Sequence, residues 1–525
     1  MQRYVFLLTG LLGAFNTGAS TDVYPLPVPL SSLVMEVSEI AVVPDSTPGV
    51  VPRCTVMTED PMGRLFVNDL RGPLFHVDED SGSVTEYLDL RDYPELDLNA
   101  GFHGLQSFAF HPDFHKSGKP GFGRFYTLFS SNATEPDPDF TSGEGTSFHT
   151  LLLEWRTDSP ADLTFVAANL ANPYREVLRI NQPLGGHVGG LIAFNCSVSS
   201  GHPDRGNLYI ALGDGAQGGG EADPLENAEN PANPYGAILR INPLGSNSAN
   251  GEYGIVPENL FASDGDSGTL AEIFCYGLRN PQRFGWDVAT GYLFIADIGH
   301  DALEEINLAS NGANYGWDVR EGSQELEGGT TTGLTDPVAE YGHVDFVTDP
   351  QPSISNRAIT IGEVARGTCI DGLDGNLLTA DFPTGIIFLL DLDSDPLVGG
   401  QDGFVEVLVR EGGGSAMRML DVINSARTAR SLSTTSRADL RFSVNTPGRI
   451  YLINKQDGII RRMQPNLEAS HAISRGEANQ VHIEFEGWLQ RSDDLETWTD
   501  VIPQPFSPFI QTVSGNPVFF RSTCR

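Results

Sequence analysis

Lysine is nearly missing from this chain. Lys116, Lys119 and Lys455 are the only three among 525 residues, and Lys plus Arg total 32 against 69 Asp plus Glu. The formal charge is -37. A surface that acidic repels phosphate, which argues against nucleic-acid binding and against docking on anionic lipid. Past the N-terminus, no stretch approaches the roughly 18 apolar residues of a membrane helix, so no membrane span is expected. The five cysteines, Cys54, Cys196, Cys275, Cys369 and Cys524, contain no CxxC pair, so zinc and redox motifs have no support. An odd count leaves at least one thiol unpaired within the chain, and the spacing does not say which ones pair. Long helical periodicity is scarce as well. With 58 glycines and 34 prolines, the composition favours many short elements joined by turns.

What is present is a chain able to bury a core, with 40% hydrophobic and 19% charged residues. The N-terminus reads as a leader. Arg3 precedes an apolar run from Tyr4 to Phe15, followed by the small residues Gly18, Ala19 and Ser20. This is the pattern of an export signal over residues 1–20 and predicts a secreted or periplasmic protein.

Short apolar runs then recur, each bounded by Gly, Asp, Asn or Pro. Six of them share aromatic and branched residues: 64–68, 124–129, 207–212, 291–296, 376–380 and 449–453. Wide spacing with other short strands between them predicts an all-β chain, a six-bladed β-propeller over about residues 45–465. The expected blade limits are about 45–85, 100–160, 175–243, 270–310, 338–395 and 405–465. Loop excursions fall at 132–147, 215–235 and 322–336. After residue 466 the texture changes. Alternation in Val481–Gln490 and a last apolar run, Val518–Arg521, predict a small C-terminal β-module over 466–525.

Three stretches carry chemistry. The first is Gly101-Phe-His-Gly-Leu-Gln-Ser-Phe-Ala-Phe-His-Pro-Asp-Phe114. The second is Gly186-His-Val-Gly-Gly190, running on to Leu208-Tyr-Ile-Ala-Leu-Gly-Asp-Gly215. The third runs from Tyr276-Gly-Leu-Arg-Asn-Pro-Gln-Arg-Phe284 through Asp297-Ile-Gly-His-Asp301 and Glu304-Glu-Ile-Asn307 to Asn314-Tyr-Gly-Trp317. His187 sits beside glycine, which lets backbone approach a ligand closely. A neutral imidazole there can take a proton from a ligand hydroxyl. Arg279, Asn280 and Gln282 supply a guanidinium fork and amides suited to a carboxylated ligand.

Together these stretches resemble the soluble quinoprotein glucose and aldose sugar dehydrogenases, the glucose/sorbosone dehydrogenase family, over roughly residues 50–465. The resemblance implies a six-bladed propeller with pyrroloquinoline quinone (PQQ) and calcium that oxidises an aldose at C1. An external electron acceptor would then take the electrons. It implies His187 as the catalytic base, with Arg279 also catalytic, and Arg279, Asn280, Gln282 and Arg437 as cofactor contacts. The carbonyls of Gly299 and His300 would hold the cofactor's calcium, and Glu305 with the Tyr315 carbonyl a second calcium. Departures stand beside these matches. Phe102 replaces a polar cofactor contact, Pro383 falls where the family has a lysine, and of a later Arg-x-Arg pair only Arg437 is left. They support a second reading, a non-enzymatic carbohydrate- or protein-binding propeller like the hedgehog-interacting relatives. A third reading makes this a surface protein anchored through its C-terminal module.

Overall fold

The computed structural model describes residue 24 and residues 26–523, except 101–102, 143–144, 218–221, 349, 396, 447, 468–469, 476–479, 494, 496–497, 503, 506, 508 and 513–517. The expected leader, Phe102 and Cys524 therefore lie outside the described residues.

Strands such as Leu65–Asp69, Leu208–Leu212 and Leu293–Asp297 are buried at every position. A strand hidden on both faces needs a layer against each. Its sequence is then a continuous apolar run rather than an alternating one. Stacked sheets meet that need. Cys54–Glu59, Leu65–Asp69, Pro73–Asp78 and Ser83–Asp89 form a four-stranded antiparallel meander. Leu105–Phe110, Arg124–Ser131, Phe148–Arg156 and Tyr174–Gln182 form the next. Ile192–Phe194, Leu208–Leu212 and Ala237–Asn242 build the third, with Gly254–Ile255 and Ile273–Cys275 both paired to Ala237–Asn242. Arg283–Trp286, Leu293–Asp297, Leu303–Leu308 and Ala339–Gly342 make the fourth.

Arg320–Glu321 and Gln324–Glu325 form a two-stranded ribbon, and the remaining strands of this body form one eight-stranded sheet. Ile359–Val364, Asn376–Asp381, Ile386–Asp391 and Phe404–Glu411 lie on one side of Leu30–Val42. Ile459–Met463, Tyr451–Asn454 and Leu440–Phe442 lie on the other. Leu30–Val42 pairs parallel with Phe404–Glu411 and antiparallel with Ile459–Met463. The chain is thus nearly all β, a pattern consistent with a β-propeller.

Two groupings differ from the sequence expectation. Tyr174–Gln182 belongs to the second sheet and Ala339–Gly342 to the fourth, each beyond a long excursion within its own meander. Spacing alone does not show whether a loop joins two sheets or interrupts one. The sheets also begin before residue 45, with Leu30–Val42. One α-helix, Met419–Ala429, went unforeseen. It buries Met419, Val422 and Ile423 against Ile386–Asp391 and Phe404–Glu411.

The C-terminal residues form two three-stranded sheets. Ser470–Arg475, Gln480–Glu486 and Phe509–Thr512 make one; Trp488–Ser492, Thr499–Asp500 and Phe519–Thr523 make the other. They pack on the side of the preceding sheets. The Gln504 amide donates to the Val288 carbonyl, and the amides of Asn466 and Leu467 donate to the Cys369 carbonyl. Cys369 is disulfide-bonded, while Cys54, Cys196 and Cys275 are free thiols.

Candidate functional site

Strands of the first four sheets, or the turns before them, and Leu440–Phe442 of the eight-stranded sheet converge on one space. Thr55, Gln106, the turn His187–Gly190, the pair Gln282–Arg283, Arg441 and the post-strand residue Lys455 line one cavity of about 80 Å³ there, together with Leu70 and His103.

His187 enters this cavity from a strained turn, with φ of +42°. Left-handed backbone is uncommon for residues with a Cβ, and such strain persists where surrounding structure enforces it. The enforcement is visible at Gly213, where a Cβ would lie 2.2 Å from the His187 carbonyl oxygen. His187 Nδ1 lies 2.7 Å from Asp214 Oδ1. That oxygen also accepts from the Ala216 amide at 2.8 Å, and Oδ2 accepts from Trp317 Nε1 at 3.0 Å. Asp214 is wholly buried. A carboxylate so held assigns the proton to Nδ1 and leaves Nε2 as the acceptor.

Arg279 and Asn280 are set by Asp297, whose two oxygens accept from their backbone amides at 2.8 and 2.6 Å. Burial pushes the Asp297 carboxyl up to about 7 against those stabilising bonds. The Arg279 carbonyl accepts from the Asp214 amide at 2.8 Å, so the two segments lie side by side. The Arg279 guanidinium, however, does not line the His187 cavity. It donates to the Ile298 and Gly299 carbonyls at 3.1 and 2.7 Å and lies 5.3 Å from the Trp317 ring centre. Arg279 Nε and Asn280 Oδ1 are buried without a hydrogen-bond partner. Gln282 does line the cavity, and its Oε1 accepts from Arg441 at 3.2 Å.

Arg437 is turned to Asp439, with bonds of 3.1 and 2.8 Å, and Arg441 rather than Arg437 reaches the cavity wall. Pro383 gives its carbonyl to the Ala438 amide. The loop carrying Gly299 and His300 is held from behind. Glu321 Oε1 accepts the four successive amides of His300, Asp301, Ala302 and Leu303 at 2.7 to 3.0 Å. Glu305 is buried, and burial with Asp297, Glu340 and Glu321 nearby pushes its carboxyl well up. Tyr315 is buried too, its hydroxyl donating to the Leu308 carbonyl. Among the described residues, no three His, Cys, Asp or Glu side chains converge as a metal site.

Three cationic residues of the cavity escaped the sequence reading: Arg283, Arg441 and Lys455. Two signals pointed to them. Lys455 is one of three lysines in the chain and directly follows a strand. Arg283 ends the same Arg-Asn-Pro-Gln-Arg run that drew attention to Arg279.

Comparisons with known proteins follow the same line. The HIPL1 protein of Arabidopsis thaliana is 29% identical over 370 residues, 61% of this chain and 50% of that protein. The hedgehog-interacting protein of Mus musculus is 26% identical over 238 residues, 45% of this chain and 30% of its own length. The chain spans about half the length of the first of these curated relatives, and less of the second. The apo crystal structure of the soluble aldose sugar dehydrogenase from Escherichia coli superposes with a TM-score of 0.52 at 18% identity, covering 82% of this chain and 100% of that one. At that identity the likeness speaks for the fold. The sequence profile of the glucose/sorbosone dehydrogenases matches residues 52–410. With that match spanning most of the chain, the protein belongs to the glucose/sorbosone dehydrogenase family.

Proposed function

We propose that the protein is an exported oxidoreductase that oxidises an aldose or related carbohydrate at C1, using PQQ and calcium. We read the eight-stranded sheet as two four-stranded blades joined through Leu30–Val42, which gives six blades, with residues 466–525 as a separate small module. The observation that carries the functional reading is His187, fixed at Nδ1 by a fully buried Asp214 and facing the axial cavity.

In this reading His187 Nε2 accepts the proton of the sugar's C1 hydroxyl. Asp214 keeps the Nδ1 proton in place and stabilises the imidazolium that results. Trp317 and the Ala216 amide hold Asp214 in register, so the ring does not rotate away. One feature supports a fit to the cofactor: Arg279 Nε and Asn280 Oδ1 are adjacent, buried and unpartnered, which suits a ligand rich in donors and acceptors. Arg279, Asn280 and Gln282 would hold the quinone, and the carbonyls of Gly299 and His300 its calcium. Glu305 and the Tyr315 carbonyl would hold the second ion, whose charge would relieve the crowding of Asp297, Glu321 and Glu340. PQQ with calcium, when bound, supplies the two-electron acceptor for the C1 hydrogen.

Reconstitution with PQQ and Ca²⁺, followed by aldose-dependent dye reduction, tests the reading. Dye reduction that needs quinone, calcium and sugar together is expected, with a lower melting temperature after chelation. Quinone bound stoichiometrically without dye reduction by any aldose would defeat it. One observation favours the second reading, a binding propeller without redox chemistry. The Arg279 guanidinium already sits on the Gly299 carbonyl that calcium would use. An unchanged melting temperature with and without chelator, and no bound calcium, would select that reading.

A further inference from the structure

A second cavity, of about 450 Å³, is several times larger than the one beside His187 and shares no lining residue with it. Two strands show where it lies. The turn His187–Gly190 precedes Ile192–Phe194, and Asn195 and Ser197, which line the second cavity, follow that strand. Arg283 opens Arg283–Trp286 on the His187 cavity, and Trp286 closes it on the second. Strand residues advance about 3.3 Å each, so these three steps put roughly 10 Å between the two walls. The second cavity is therefore a cleft between the third and fourth sheets, at the ends of the strands away from His187.

Its wall is built of rings. Trp286 meets Tyr209 edge to face with 5.3 Å between ring centres, and Tyr209 meets Phe274 at 5.4 Å. Trp286 and Tyr209 are 2% and 3% exposed, whereas Tyr292, on the same wall, is 49% exposed. Rings fixed by the core beside one left half in solvent form a surface that gains from being covered.

The polar part of the wall carries no free charge. Asp204 is its one acid among the described residues, and neither lysine nor arginine lines it. Asp204 accepts from Asn195 Nδ2 at 2.8 Å, from the Tyr209 hydroxyl at 2.9 Å and from Asn207 Nδ2 at 3.1 Å, and it pairs with Arg240 at 3.4 Å. Its charge is matched and its oxygens are taken, so it fixes the wall and is not a cation ligand. His202 is placed differently. Its Nδ1 accepts from the Asp204 amide at 3.1 Å, which puts the hydrogen of the neutral ring on Nε2, and the residue is exposed. Ser199 and Tyr292 add hydroxyls to the same wall.

A charged ligand finds no counter-charge here, and an aliphatic one would cover polar groups without pairing them. A pyranose fits both halves of the wall, with C–H groups on its faces for the rings and hydroxyls round its edge for the polar groups. The volume lies in the range of small-molecule sites. We propose that this cleft is a saccharide-binding site that takes one or two neutral pyranose rings. The inference goes beyond the dehydrogenase reading and does not rest on it, because the cleft binds without redox chemistry.

The test uses the full chain without quinone or calcium. It is titrated by calorimetry with the methyl pyranosides of glucose, galactose, mannose and xylose, with methyl β-cellobioside, and with adenosine. A methyl group on the C1 oxygen removes the hydroxyl that the dehydrogenase reading needs, so the glycosides report binding alone. At least one of them should bind. Tyr292→Ala removes the exposed ring. His202→Asn keeps a capping acceptor for the Asp204 amide but loses the Nε2 donor. Each should weaken glycoside binding about twofold to tenfold, as loss of one aromatic contact or one hydrogen bond does, with an unchanged melting temperature. His187→Asn should bind the glycoside as the wild type does. In the reconstituted protein, Tyr292→Ala should keep aldose-dependent dye reduction, so the cleft and the dehydrogenase reading fail separately. No binding by any of these glycosides would overturn the proposal, as would unchanged binding in both folded cleft variants or binding lost in His187→Asn. Adenosine bound where no glycoside is would overturn it too, and would give the cleft to a planar ring.

Discussion

His187 holds a backbone conformation that few side chains accept, and its ring is aimed by a carboxylate with no solvent exposure. Asparagine tolerates left-handed backbone better than most residues, so His187→Asn should fold normally while lacking the proton acceptor. Turnover in the reconstituted protein should fall about 10²–10⁴-fold. Steady-state dye reduction with a parallel melt checks this; full activity in the variant would remove His187 from the chemistry. Lys455 gives a second expectation, in pH. It faces Arg441, Asp439, Arg53 and Arg283, with His103 and His187 on the same cavity wall. Its folded value, about 7, lies below the ordinary lysine value of 10.5. Between those two values the unfolded chain binds the extra proton, so this residue's contribution to stability rises with pH across that window. Below pH 7 the ammonium is charged in both states and the burial penalty is complete. Lys455→Met should therefore melt higher than the wild type near pH 6, and the gap should close as the pH approaches 10. A gap that widens with pH would contradict the sign.

At the scale of elements, Leu30–Val42 holds two groups of strands together. Val37 is paired on both sides, with Glu411 and with Met463. Proline there removes a ladder hydrogen bond and fits only an edge, so Val37→Pro should cost about 1–3 kcal/mol. Urea denaturation measures it, and a loss under 1 kcal/mol would show that the strand is dispensable. This strand also marks where the sequence was hard to read. Strands buried on both faces, such as Leu208–Leu212 and Leu293–Asp297, announce themselves as apolar runs after glycine or asparagine. Leu30–Val42 is mostly exposed or half exposed, with Ser31, Ser32, Glu36, Ser38 and Glu39 among its residues, and no local pattern names partners so far along the chain. The same limit applies to the site. His187, Arg279 and Asn280 stand in dense motifs. Arg441 lies in Leu440–Phe442 and Lys455 just past Tyr451–Asn454, and they meet Arg283 only once the sheets come together.

Across the whole molecule acids outnumber bases, for a net value of -37, and the cavity lined by Arg283, Arg441 and Lys455 is a local exception. Self-repulsion of the exterior opposes compaction, and dissolved salt screens it over roughly 10 Å at 0.1 M. Raising sodium chloride from 0.05 to 0.5 M should raise the melting temperature. A fall would mean that internal ion pairs such as Arg461–Asp457 and Arg366–Asp287 outweigh the surface term.

The pairing of Leu30–Val42 has a consequence in time. This strand leaves the ribosome early, yet its partners Phe404–Glu411 and Ile459–Met463 emerge near the end of synthesis. Until they do, it has no ladder to join, and the meanders between can form only as an open row with exposed flanks. Closing a loop of that length costs chain entropy before any of the last hydrogen bonds reward it, which makes ring closure the natural slow step. The first four sheets can therefore fold one by one as they emerge, while the eight-stranded sheet waits for its last strands.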